Sequence, residues 1–91
     1  MNETVHTAYA AALMTLRQLT ACPGHPRVLA ALDQADAALA HIRWSPAALA
    51  VSHLLVEVRD CHASGLPRSD RLGAAFRAAR VATAAAPALS G

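Results

Sequence analysis

Three interruptions divide this chain into four stretches of near-equal length, and no other feature restricts its fold so tightly. The run Cys22-Pro23-Gly24-His25-Pro26 holds two prolines and a glycine, through which a helix does not continue. Ser45-Pro46 pairs a favoured N-cap residue with the proline that suits the first helical position. Gly65 fits the left-handed residue that closes a helix, with Pro67 just beyond it. Ser69-Asp70 then supplies a new cap and a carboxylate in the first turn, where the helix dipole favours it. Pro87 closes the last stretch. The spacing predicts helices over 3–21, 26–43, 46–64 and 69–86, each roughly 25–28 Å long at the α-helical rise.

Each stretch carries large apolar residues at alternating three- and four-residue intervals. The first offers Val5, Tyr9, Ala12, Leu16 and Leu19, and the second Val28, Leu32, Ala35, Leu39 and Ile42. The third offers Val51, Leu54, Val58 and Cys61, and the fourth Leu72, Phe76, Ala79 and Val81. No strand-like alternation interrupts them. Short connections between rods of equal length favour antiparallel neighbours. The expected fold is all-α, an antiparallel up-down four-helix bundle over residues 1–87, with 88–91 as a short disordered tail. Gly73 inside the fourth helix weakens it by about 1 kcal/mol relative to Ala.

Composition explains why such a bundle would seek company. The chain has 24 Ala against 12 Leu, 6 Val, 1 Ile and 1 Phe. Alanine favours helix but buries little area, whereas each fully buried Leu or Phe contributes roughly 1.5–3 kcal/mol. The core is therefore thin, and close Ala seams or a partner chain must supplement it. The third helix points the same way, because Leu49, Leu55 and Val56 lie off its main seam. A helix apolar on several faces is normally covered on several faces. A homodimer across a two-fold axis, or a partner protein helix, would cover these three residues. Cover from within the chain by Trp44, Leu66 or Leu89 is the alternative.

All eight basic residues are Arg, the residue bias of a GC-rich bacterial coding sequence, and the net charge is only +2. Its distribution is uneven, with Arg68, Arg71, Arg77 and Arg80 against the single acid Asp70 from Leu66 onward. These four arginines form a candidate anion-binding surface, and with it the alternative of a small nucleic-acid-associated regulator. The stretch from Ser45 to Ser52 also resembles the second helix of a bacterial helix-turn-helix. A recognition helix reads base edges with polar side chains near its start. Ala47, Ala48, Ala50 and Val51 have none, so a buried helix is expected there instead.

Two Cys and two His are drawn to one pole of the expected bundle. Cys22 and His25 flank the first break, and Cys61-His62 sit near the end of the third helix. Together they have the ligand types of a structural zinc site. Adjacent helical residues point about 100° apart, however, and Cys61 falls on the core seam, where a free thiol behaves as a small hydrophobe. Structural thiols are the expected state, a Cys22–Cys61 disulfide closing a loop worth roughly 4 kcal/mol is the second option, and metal the third. No metal and no cofactor is expected. Leu19-Thr20-Ala21-Cys22 has the form of a lipoprotein cleavage box, but Glu3 and Arg17 in the preceding segment argue against export. No apolar run reaches the length of a membrane span, and a cytoplasmic location is expected.

Catalysis finds no purchase in the sequence. There is no nucleophile elbow and no glycine-rich phosphate loop. His53 and Glu57 lie one turn apart and read as a solvated pair rather than a dyad. Asp33 and Asp36 read as a solvated stripe, and His41 as a helix-end cation. The expectation is a non-enzymatic helical protein–protein interaction module that associates with itself.

Overall fold

A computed structural model describes residues 2–42, 45–66 and 69–85. Four α-helices account for most of them: α1 (Asn2–Arg17), α2 (Pro26–Leu39, continued by the 3-10 turn Ala40–Ile42), α3 (Pro46–Ser64) and α4 (Asp70–Ala85). No strand occurs among the described residues. The helices are not of equal length, since α3 has 19 residues and α2 only 14. Trp44, Arg68, Leu89 and the tail 88–91 lie outside the described residues.

Local chemistry sets most of the boundaries. α2 is capped by His25, whose backbone is extended and whose Nδ1 accepts from Arg27 N–H at 3.1 Å. Its last turn tightens because Ala40 N–H is shared between the Asp36 and Ala37 carbonyls. α3 starts at Pro46 behind an extended Ser45 and stops at Gly65, whose φ of 72° is the left-handed region that favours glycine. Gly65 N–H and Leu66 N–H both return to the Cys61 carbonyl. At α4 the Ser69 hydroxyl accepts from Leu72 N–H at 3.0 Å, the bond of an N-cap.

The end of α1 is different. The apolar pattern continues to Leu19, yet the α-helix stops at Arg17. Leu19 N–H turns to the Leu16 carbonyl instead of Thr15's. The Thr15 carbonyl is taken by the His62 ring of α3, 3.0 Å away. A tertiary contact thus replaces the next helical bond.

Helix α3 sits at the centre and packs against α1, α2 and α4. Helix α4 leans chiefly on α3 and touches α1 only slightly, and α2 and α4 share no extended contact among the described residues. Arg59–Asp33 at 2.6 Å and Ser52–Asp36 at 3.4 Å pin α2 along one flank of α3. His62–Thr15 holds α1 behind it, and Cys61–Ser69 at 3.8 Å starts α4 along its remaining side. Both aspartates of α2 thus reach α3, Asp33 from a position that stays exposed to water and Asp36 from one partly covered.

Leu32, Leu39, Leu54, Leu55, Val5, Val51 and Val58 are the large residues sealed from water. Burial of each leucine contributes roughly 1.5–3 kcal/mol. Ala12, Ala48 and Ala79, all fully buried, let the backbones approach closely between them. Every residue of the expected α2 seam is buried. In α4 the stripe is Leu72, Ala75, Ala79 and Thr83, whereas Val81 is 69% exposed. Two residues beyond Ala79 is about 200° around a helix, which turns Val81 to the far side. Buried Thr15 and Thr83 satisfy their hydroxyls on the Ala12 and Ala79 carbonyls of their own helices. No described helix is long and apolar enough to cross a membrane.

Candidate functional site

Of the four Cys and His residues, His62 is the one that joins separate parts of the fold, and its partners are Gly24 and Thr15. Its side chain is almost fully buried, and both ring nitrogens are engaged. Gly24 N–H donates to Nδ1 at 3.0 Å, which makes Nδ1 an acceptor and puts the proton of the neutral ring on Nε2. Nε2–H then donates to the Thr15 carbonyl. One imidazole ties the end of α1, the α1–α2 turn and the end of α3. Gly24 holds φ at 72°, so the turn presents its N–H to the ring in a conformation that side chains resist.

The other three residues of the cluster face elsewhere. Cys61 is buried on the core side of α3 with Ser69 beside it, whereas Cys22 is exposed. Both are free thiols. His25 uses Nδ1 on the helix cap. Among the described residues no group of three or more His, Cys, Asp or Glu side chains is positioned to hold a metal ion. The adjacency of Cys61 and His62 explains the divergence, since one faces the core and the other the α1 turn. Sequence singled out His62 but not Thr15 or Gly24. Neither a helix-end threonine nor a turn glycine carries a signal that names a partner dozens of residues away.

The second candidate is the outward side of α3. Leu49 and Val56, two turns apart, are 51% and 48% exposed. Leu55 requires correction, because it is 1% exposed and belongs to the core of a single chain. Its direction, about 100° from Val56, carries it in among α1 and α2. Leu66 is exposed rather than folded over α3. Exposed His53 and Asp60 flank the stripe on the α4 side, and Ser52 and Arg59 on the α2 side. Glu57 departs from the solvated pair expected of it: its side chain is only 10% exposed, and His53 Nε2 lies 3.3 Å from its carboxylate. An exposed imidazole therefore covers a carboxylate that is itself nearly buried.

The arginines of α4 do not form one stripe. Arg71, Arg77 and Arg80 are all exposed, but Arg71 and Arg80 lie roughly 180° apart around the helix. A cleft of about 420 Å³ runs between α1 and α2. It is floored by Ala8, Ala11, Ala31 and Ala35 and rimmed by Glu3, Thr7 and Gln34, and His53 and Glu57 are not part of it. It offers no paired acid and base. Comparison with protein-family models, with curated proteins and with solved structures finds no match to this chain.

Proposed function

We propose that this chain is a non-enzymatic helical interaction module that associates with itself, built as an antiparallel up-down arrangement of four helices. The observation that carries this is the half-exposure of Leu49 and Val56 on the middle helix, opposite its buried side. A central helix is the last place to leave large aliphatics in water without a partner. The direction of the helices is supported by three contacts. Thr15 and His62 bring the ends of α1 and α3 to one pole, Asp33 with Arg59 runs α2 back along α3, and Cys61 with Ser69 turns α4 back from the same pole. A cytoplasmic, bacterial setting is the one in which two free thiols and lysine-free basic residues are ordinary. Sedimentation velocity across a hundred-fold concentration range tests the proposal. A species of twice the chain mass that dissociates on dilution is expected, and a single chain at every concentration overturns it.

A further inference from the structure

Resting on that self-association, we infer which face two copies share and how they are oriented: the open side of a flat α2–α3–α4 layer, about a two-fold axis parallel to α3. The layer follows from the contacts that flank α3. Asp33 and Asp36 put α2 on the Ser52–Arg59 side, α4 starts at Cys61, and α1 lies behind at His62. Three helices side by side at about 9 Å span roughly 23 Å between outermost Cα atoms. The molecule's intermediate extent is 24 Å and its thinnest 18 Å. Helix α1 covers one side of this layer. The other side carries Leu49, Val56 and Ala63 along its middle.

Size comes first. Leu49 and Val56 alone are too small to hold a dimer, but the whole face is larger. With helices of 14, 19 and 16 residues, about 21–28 Å long, and a width of about 23 Å, it amounts to roughly 550 Å² per copy. Two such faces cover about 1,100 Å² in total, at the lower edge of what a specific pair needs.

Charge then selects the orientation. On α3, Arg59 lies on the α2 flank and Asp60 on the α4 flank, both at one height. Beyond them, exposed Asp33 stands on α2 at the level of Arg59, its ion-pair partner. On α4, which descends beside α3, right-handed winding turns the Arg71–Ala78–Ala85 flank to the open side and the Phe76–Arg80 flank toward α1. Asp60 and Arg71 make no ion pair among the described residues. An axis parallel to α3 keeps heights and exchanges flanks. Arg59 then faces Asp60 of the second copy, and Asp33 faces its Arg71. Leu49 meets Leu49, and Val56 meets Val56. A two-fold perpendicular to α3 would instead set α2 rim against α2 rim and α4 rim against α4 rim, so that Arg71 no longer meets Asp33 of the second copy.

The test uses single cysteines in a Cys22→Ser background, since Cys61 is buried and Cys22 is not. Leu49→Cys, Val56→Cys and Met14→Cys are each exposed to copper–phenanthroline as oxidant and run on a non-reducing gel. Leu49→Cys and Val56→Cys should cross-link to twice the chain mass, and Met14→Cys, exposed on α1, should not. Val56→Arg should run as a single chain in sedimentation with its helical circular dichroism unchanged. Cross-linking at 56 without 49 overturns the parallel axis, because the perpendicular one carries position 49 about 20 Å away from its copy. A dimer that cross-links at neither position, or survives Val56→Arg, overturns this face while self-association stands. A wild-type protein that never dimerises overturns both.

Discussion

Replacing His62 with alanine should cost about 2–4 kcal/mol of folding stability, and the way that figure arises makes it a sharp measurement. The ring makes two hydrogen bonds, from Gly24 N–H and to the Thr15 carbonyl, each worth about 1 kcal/mol net. Leaving a buried partner bare costs a further 1–3 kcal/mol or so. The Thr15 end can relax, because Leu19 N–H is able to swing back and continue the helix. Gly24 is only partly buried, so water can reach its N–H. Relaxation at both ends holds the sum in the lower half of the range, and the space left by a nearly inaccessible imidazole raises it again. A domain of this length has roughly 5–14 kcal/mol in total. Urea unfolding followed by far-ultraviolet circular dichroism would register the loss as a lower midpoint at unchanged slope. His62→Gln, whose amide offers one acceptor and one donor, should recover part of it. His41→Ala, an exposed histidine in the 3-10 turn, should change stability by less than about 0.5 kcal/mol. If His62→Ala proved as mild as His41→Ala, the three-way tie would be decorative.

Gly73→Ala should stabilise by about 0.5–1 kcal/mol, since an added Cβ meets only the exposed Arg77 guanidinium at 3.7 Å, and a thermal melt would read it. His6→Leu should raise stability by about 1 kcal/mol in the same assay, because Nε2 of His6 is buried with no hydrogen-bond partner among the described residues. Leu55→Ala should destabilise the chain by about 3 kcal/mol in urea, whereas Leu49→Ala should leave unfolding of the single chain nearly unchanged and weaken association instead. Titration of a labelled random duplex at 50 and 200 mM salt should show no salt-linked binding, because the α4 arginines are split between flanks; a steep salt slope abolished by Arg77→Ala with Arg80→Ala would revive the nucleic-acid alternative.

The sequence discloses what is local here and hides what is not. The start and stop of α3 are readable because Pro46 and Gly65 act within a turn of the boundary they set, although the Ser45 side chain makes no capping hydrogen bond. The α2 stripe was readable because every large residue in it repeats at helical spacing. Val81 leaves the stripe for a metrical reason, since it falls two positions after Ala79 and not three or four. Leu55 reads as outward in the sequence because apolar character alone does not say which faces of a central helix are already occupied. The burial of Glu57 depends on how the helices pack around α3, and a His four residues before a Glu looks the same on a wet face as at a covered edge. His62 of the cysteine–histidine cluster is a different case. Its partners turned out to be the backbone groups of Thr15 and Gly24, which every residue type possesses and no pattern reveals.

The terminus of α1 is consequently decided by a residue that is synthesised much later. Thr15 and His62 are 47 positions apart, so while the first helix is alone nothing withholds the Thr15 carbonyl from Leu19. A peptide ending before α3 should wind on past Arg17 and expose Leu19 on a longer rod, and docking of α3 would then unwind that extra turn. Amide exchange of Leu19 in such a fragment, set against the whole chain, would report the remodelling directly.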